Sequence, residues 1–180
     1  MIFNLCLETN LLKSFYMERT LVLLKPDAIQ RGLMGEIISR FERAGLKIIG
    51  MKMVMPDEDH YHYHYEDISK MISRRGEEPF KRNLASMMAG PVVALVLEGV
   101  EAVDIGRKIV GDTEPRSAAP GTIRGDYAHM TYDHANKNGS GLPNLVHASG
   151  NKEEAKAEIG HWFKADELFD YKTAHQHLTS

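Results

Sequence analysis

The stretch PVVALVLE, Pro91 to Glu98, is the clearest strand in the chain. It is an apolar run of strand length, rich in β-branched residues. Downstream, Glu101 to Val110 has helix-compatible spacing and stops at Gly111. Upstream, residues 57–89 read as helix in two pieces, capped by Asp57, broken near Gly76 and restarting around Pro79. Leu46 to Met55 is a second strand, closed by Pro56. Leu33, Ile37, Ile38 and Phe41 recur at helical spacing until Gly45, and TLVLLK (Thr20 to Lys25) is a buried strand stopped by Pro26. At the far end, Leu145 to Ala148 is a last strand. Asn151, with Glu154 three residues on, resembles a capping box for a final helix through Phe163. Asp112 to Pro143 lacks a sustained period and reads as one long loop. This order fits two split βαβ units: an α+β fold whose four-stranded antiparallel sheet is covered by helices.

A chain of 180 residues, 43% hydrophobic, suits one globular domain. Against 22 bases stand 25 acids, a net charge of −3, so no global field draws the protein to nucleic acid or to an anionic membrane. An anionic substrate must be held by local charges. Cys6 is the only cysteine, which excludes an intrachain disulfide and a cysteine-rich metal site and suits a reducing compartment. No apolar run reaches the roughly 20 residues of a bilayer span, so the expectation is a soluble, cytoplasmic protein. The opening MIFNLCLETNLLKSFY is interrupted by Glu8 and Asn10 and lacks a positive leader. Residues 1–16 read as an extension or a misassigned start, and 17–180 as the domain.

The chemistry centres on PNLVHASGNKEEAKAEIGHWF, Pro143 to Phe163. From Asn151, four strand residues back to His147 cover roughly 13 Å, and seven helix residues forward to Glu158 cover roughly 10 Å. If the helix folds back on the strand, the two side chains come level. A carboxylate on one imidazole nitrogen fixes the tautomer and leaves the other as nucleophile or base, with Ser149 close enough to join. In PGTIRGDY, Pro120 to Tyr127, Arg124 sits among glycines that would let backbone amides approach a polyphosphate. Arg107, Thr113 and Lys25 add two cations and a hydroxyl, which with Mg²⁺ would oppose the charge of a nucleoside triphosphate. HYHYHYED, His60 to Asp67, raises a metal site as an alternative. Asp57 and the following acids favour instead a helix whose rings mostly face water or a neighbour, with no metal, and His175 and His177 read as solvated.

Together, ERTLVLLKPDAIQRGLMGEII, AGPVVALVLEG, PGTIRGD and NLVHAS followed by EIGHWF resemble nucleoside diphosphate kinase over residues 18 to 172. The resemblance implies a ferredoxin-like βαββαβ domain that moves the γ-phosphate from a nucleoside triphosphate, such as ATP, to a nucleoside diphosphate by a ping-pong route, with Mg²⁺. It makes His147 the phosphorylated nucleophile and gives Ser149 and Glu158 the task of orienting it. Lys25, Arg107, Thr113, Arg124 and Asn144 match the contacts to phosphates and sugar, Tyr65 an aromatic position near the phosphate end, and Phe80 a stacking platform for the base. Stacking without dedicated hydrogen bonds would permit broad nucleotide use.

The loop Asp112 to Gly121, with Pro115 inside it, resembles the family's interface loop and implies a homo-oligomer, hexamer or tetramer. Four departures stand out. The helical pair between Tyr65 and Phe80 is longer than in many relatives. So is the segment between Asp126 and Leu145, where YDHANKNGSGLP precedes Asn144. Ala148 replaces a common glycine, and Gly150 stands where an aspartate often follows the serine. A second reading of the same residues is a nucleotide-binding oligomeric regulator or scaffold with little catalysis.

Overall fold

The computed structural model describes residues 17–179; the N-terminal extension, residues 1–16, lies outside them. Four strands form one antiparallel sheet in the order β2-β3-β1-β4: β1 (Met17–Leu24), β2 (Lys47–Val54), β3 (Val92–Val100) and β4 (Val146–Ala148). Alternate residues of the central strands serve two cores. Leu21, Leu23, Ala94 and Val96 pack on one face; Val22, Leu24, Val93, Leu95 and Leu97 pack on the other. Both faces are covered, which is why these strands read as unbroken apolar runs. Each buried leucine or valine among them contributes roughly 1.5–3 kcal/mol.

Helices fill both faces. Pro26, which stops β1, also opens α1 (Pro26–Gln30), and α2 (Met34–Arg43) follows. Beyond β2 run α3 (Glu58–His62), a π-helical turn (Tyr63–Ile68), α4 (Met71–Arg75) and α5 (Glu77–Met87). Asp57 caps α3 by accepting from the His60 amide, and the break falls at Gly76 (φ +92°), as the sequence indicated. β3 leads into α6 (Ala102–Val110). The expected long loop instead contains a 3₁₀ turn (Pro115–Ser117), α7 (Ile123–Tyr127) and α8 (Tyr132–Lys137). These are too short to show a hydrophobic period, so Thr122 and Thr131 caps mark them better than periodicity does. After β4, α9 (Lys152–Trp162) starts at Asn151, whose side chain accepts from the Glu154 amide; Glu154 reaches back to the Gly150 amide. A last short helix, α10 (Gln176–Thr179), ends the described chain.

The topology sets the site. In β1, Leu23 lies opposite His147 of β4, and α9 packs back across β1. The end of β4 and the inner face of α9 therefore meet at one edge of the sheet.

Candidate active site

The expected meeting occurs. His147 Nε2 lies 3.0 Å from Glu158 Oε1, and Ser149 Oγ donates to Glu158 Oε2 at 2.6 Å. Glu158 and Ser149 are fully buried. Burial pushes the Glu158 carboxyl up, but the imidazoles of His147 and His64 and the Ser149 hydroxyl overcome it and bring it down to about 2. An ionised carboxylate can only accept, so the His147 proton sits on Nε2 and the lone pair is on Nδ1.

His147 borders a cavity of about 440 Å³, the size of a small-ligand site. Lys25, Arg107, Thr113, Arg124, Asn144 and Tyr65 line it too, so the structure gathers nine of the expected residues around one space or directly behind it. Phe80 is the exception. It is buried with Tyr61, Tyr65 and Leu84, meets His62 edge-on, and presents no face to the cavity. The base platform expected there is not formed by Phe80.

The cations crowd one another. Arg124 is nearly buried and donates to the carbonyls of Gly111, Asn144 and Val146. Three of its five N–H groups are thus used, leaving two. Burial, then Arg107, lowers it to about 10. Lys25 donates to Asn144 Oδ1 at 2.8 Å; Asn144 in turn donates to the Thr113 carbonyl. Lys25 is half-buried, and burial followed by Arg124 lowers its ammonium to about 8. An arrangement of like charges held this close is relieved by an anion.

The PGTIRGD glycines have a different role from the one expected. The Gly121 amide donates to Asp126 and the Gly125 amide to Thr122, so neither is free for a ligand. Gly125 is required because a Cβ there would collide with the Ala119 carbonyl. The turn delivers the Arg124 side chain rather than backbone donors.

Two further groups escaped the sequence. Asp27 Oδ2 accepts from the Leu145 amide, and the Lys25 amide donates to the Leu145 carbonyl, holding a leucine at φ +69°. Non-glycine residues in this conformation are strained and cluster at functional sites. The KPD motif was the available signal. The other is His64, wholly buried beside His147 and Glu158. In the same histidine run, Tyr61 and Tyr65 are also buried against neighbours, His60 is half-buried and His62 and Tyr63 are exposed; a π turn carries His64 and Tyr65 inward in succession. His175 and His177 are exposed.

The longer segment before Asn144 makes one wall. Tyr132, Asn136 and Leu142 line the cavity; Arg75 donates to the Tyr132 hydroxyl and Arg82 to Asn136 Oδ1. Among the described residues no helix is long and apolar enough to cross a membrane.

An antiparallel α+β sheet carrying a cation-ringed cavity beside a braced histidine defines a nucleotide-binding phosphotransferase. The sequence matches the nucleoside diphosphate kinase family over residues 18–168. A nucleoside diphosphate kinase of Pyrococcus horikoshii is 48% identical over 158 residues, covering 87% of this chain and 92% of its own. One from Borreliella burgdorferi is 41% identical, covering 87% and 93%. The solved Borrelia burgdorferi transition-state mimic with vanadate and ADP superposes with a TM-score of 0.89 at 38% identity, over 92% of this chain and 98% of that one. A Halobacterium salinarum enzyme in complex with CDP gives 0.75 at 36%, over 89% and 97%. The chain belongs to the nucleoside diphosphate kinase family, and it is an enzyme of that kind.

Proposed function

We propose that the chain moves a γ-phosphate between nucleotides through His147, by a ping-pong route. The observation that carries this is the pairing of His147 Nε2 with Glu158 at the cavity edge, which directs the Nδ1 lone pair to the substrate. In the first half-reaction Nδ1 forms a bond to the γ-phosphorus. The bridging P–O bond breaks, and its electron pair leaves with the nucleoside diphosphate. The imidazole becomes cationic as this bond forms, and Glu158 offsets that charge through Nε2–H. A second nucleoside diphosphate reverses the steps. Lys25, Arg107 and Arg124 hold the phosphates, with Thr113 and Asn144 completing the cradle, and Tyr65 flanks the phosphate end.

The donor set also fits Mg²⁺. Glu154 is the carboxylate among the described lining residues, facing a cluster of cations, which suits a metal carried in on phosphate oxygens rather than one caged by protein. When bound, Mg²⁺ neutralises phosphate charge and fixes its geometry.

Apolar lining by Met71, Pro79 and Leu142 favours contact that does not distinguish bases, which supports broad nucleotide use without Phe80. Met51, Met53 and Met55 stand exposed along and just beyond edge strand β2, and with the Pro115 loop this supports a homo-oligomer, hexamer or tetramer. Residues 17–180 act as one domain in this reading, in the cytoplasm, where nucleoside triphosphates are the substrate pool.

Incubation with γ-labelled ATP tests the proposal. One acid-labile, base-stable phosphate per chain is expected, and His147→Ala should abolish it while leaving the fold intact. Nucleotide binding without phosphate exchange would instead support the regulator or scaffold reading.

A further inference from the structure

His64 lies behind the nucleophile with three contacts that together define a role. Trp162 Nε1 donates to His64 Nδ1 at 3.1 Å. An indole nitrogen can only donate, so Nδ1 must accept and the proton must be on Nε2. That N–H is fully buried, has no hydrogen-bond partner, and has Glu158 Oε1 at 3.9 Å. The His64 ring also meets the His147 ring edge-on, with centroids 4.6 Å apart at 77°.

His64, His147 and Glu158 are close enough together to suggest a metal site. The tautomer argues against one. With Nδ1 accepting from Trp162 and Nε2 protonated, His64 has no lone pair to give a metal unless the imidazole loses its second proton.

We infer that His64 is a positioning residue of the phosphoryl-transfer site: a neutral imidazole, its tautomer fixed by Trp162, that directs an N–H dipole at Glu158 and braces the His147 ring. The inference rests on His147 being the phosphate acceptor. At 3.9 Å the N–H is too far for a hydrogen bond, so it acts as an oriented dipole in a dry environment, where such effects are least screened. A cation at this place would compete with His147 for Glu158; neutrality is therefore part of the role. Burial holds His64 well below the usual imidazole range. Of the groups facing it, His147 of β4 and His161 and His60 reinforce this, while Glu158 of α9 opposes it. Tyr65 abuts the ring from the π turn and is held neutral by burial.

Removing the dipole leaves the Glu158 charge more dependent on His147 Nε2–H, which favours the imidazolium form of the nucleophile. The nucleophile then becomes available at higher pH. In His64→Phe, kcat should fall about tenfold with the nucleotide KM within about twofold, and the acid limb of the rate profile should move up by about half a pH unit. His64→Gln offers both an N–H donor and a carbonyl acceptor and should restore most of the rate and the limb.

If His64→Phe does not fold, Trp162→Phe carries the test. It frees the tautomer, and its acid limb should move in the same direction. A purely packing role would scale the rate with the folded fraction and leave the limb in place in every variant, and that result overturns the inference. Phosphoenzyme labelling of the unaltered protein separates the two levels. No label on His147 removes the underlying reading, whereas normal labelling with an unmoved limb removes only the role of His64.

Discussion

His147 and Glu158, eleven residues apart in sequence, meet at 3.0 Å because α9 folds back across β1, the strand that pairs with β4. Glu158 is therefore both an orienting group and a counter-charge. Glu158→Gln keeps the size and an acceptor oxygen but removes the charge. We expect kcat to fall by about 10²-fold, the scale of losing one preorganised electrostatic contact. The acid limb should move to lower pH, opposite to the shift expected on removing His64, because the imidazolium loses its counter-ion. Steady-state rates between pH 5 and 8 measure both.

Lys25 predicts the alkaline side. Its ammonium is lowered to about 8, first by burial and then by Arg124, so the free enzyme should lose phosphate affinity as pH rises through about 8. A basic limb should appear there in kcat/KM, which reports the free enzyme. Lys25→Arg keeps its charge across that range and should erase the limb, whatever its effect on the rate. An unchanged limb in Lys25→Arg would assign the titration elsewhere.

The sheet could be read from the sequence because its signals were local and redundant. PVVALVLE is apolar on both faces, Asp57 and Asn151 are caps that bond as caps, and Gly76 and Gly111 end helices at positive φ. The link from His147 to Glu158 was also legible, since strand rise and helix rise fix the distance from a shared turn. Phe80 and His64 were not. The π turn at Tyr63–Ile68 breaks the 3.6-residue phase and turns His64 and Tyr65 inward together, and positive φ at Lys70 and Gly76 redirects the chain before α5, so the facing of Phe80 does not follow from the earlier period. Leu145 at φ +69° was equally hidden, because a leucine carries no preference for that conformation; only the partner bonds from Asp27 and Lys25 account for it.

Buried neutral histidines make the fold acid-sensitive. Burial, then His161, lowers His60 to about 4, and His64 lies well below its usual value from burial first and His147 second. Below about pH 6.5 the unfolded chain binds protons that the folded chain refuses. Their contribution is thus fully present above 6.5 and is lost as pH falls, toward about 4 for His60. The depressed Glu158 adds a later loss, between about 4.5 and about 2. Urea midpoints should fall steadily from pH 7 to pH 5, before carboxylates titrate. In His60→Phe that fall should be shallower, and an identical slope would exclude His60 as a source.

The wall built by the longer segment depends on Gly141. A Cβ there would collide with Ser86 Oγ and press against the Arg82 carbonyl, to which Ser86 itself donates. Ser86 could rotate, but the backbone oxygen of α5 cannot move without displacing Arg82, which holds Asn136 across the cavity. Gly141→Ala should therefore destabilise the protein by about 1–3 kcal/mol, the range for overpacking a tight contact. Because Tyr132, Asn136 and Leu142 line the cavity while His147 and Glu158 belong to other elements, the kinetic effect should fall on nucleotide KM more than on kcat. Equilibrium unfolding in urea and initial rates at varied nucleotide concentration read the two effects separately. A KM unchanged alongside a clear loss of stability would mean that the wall supports the fold without touching substrate.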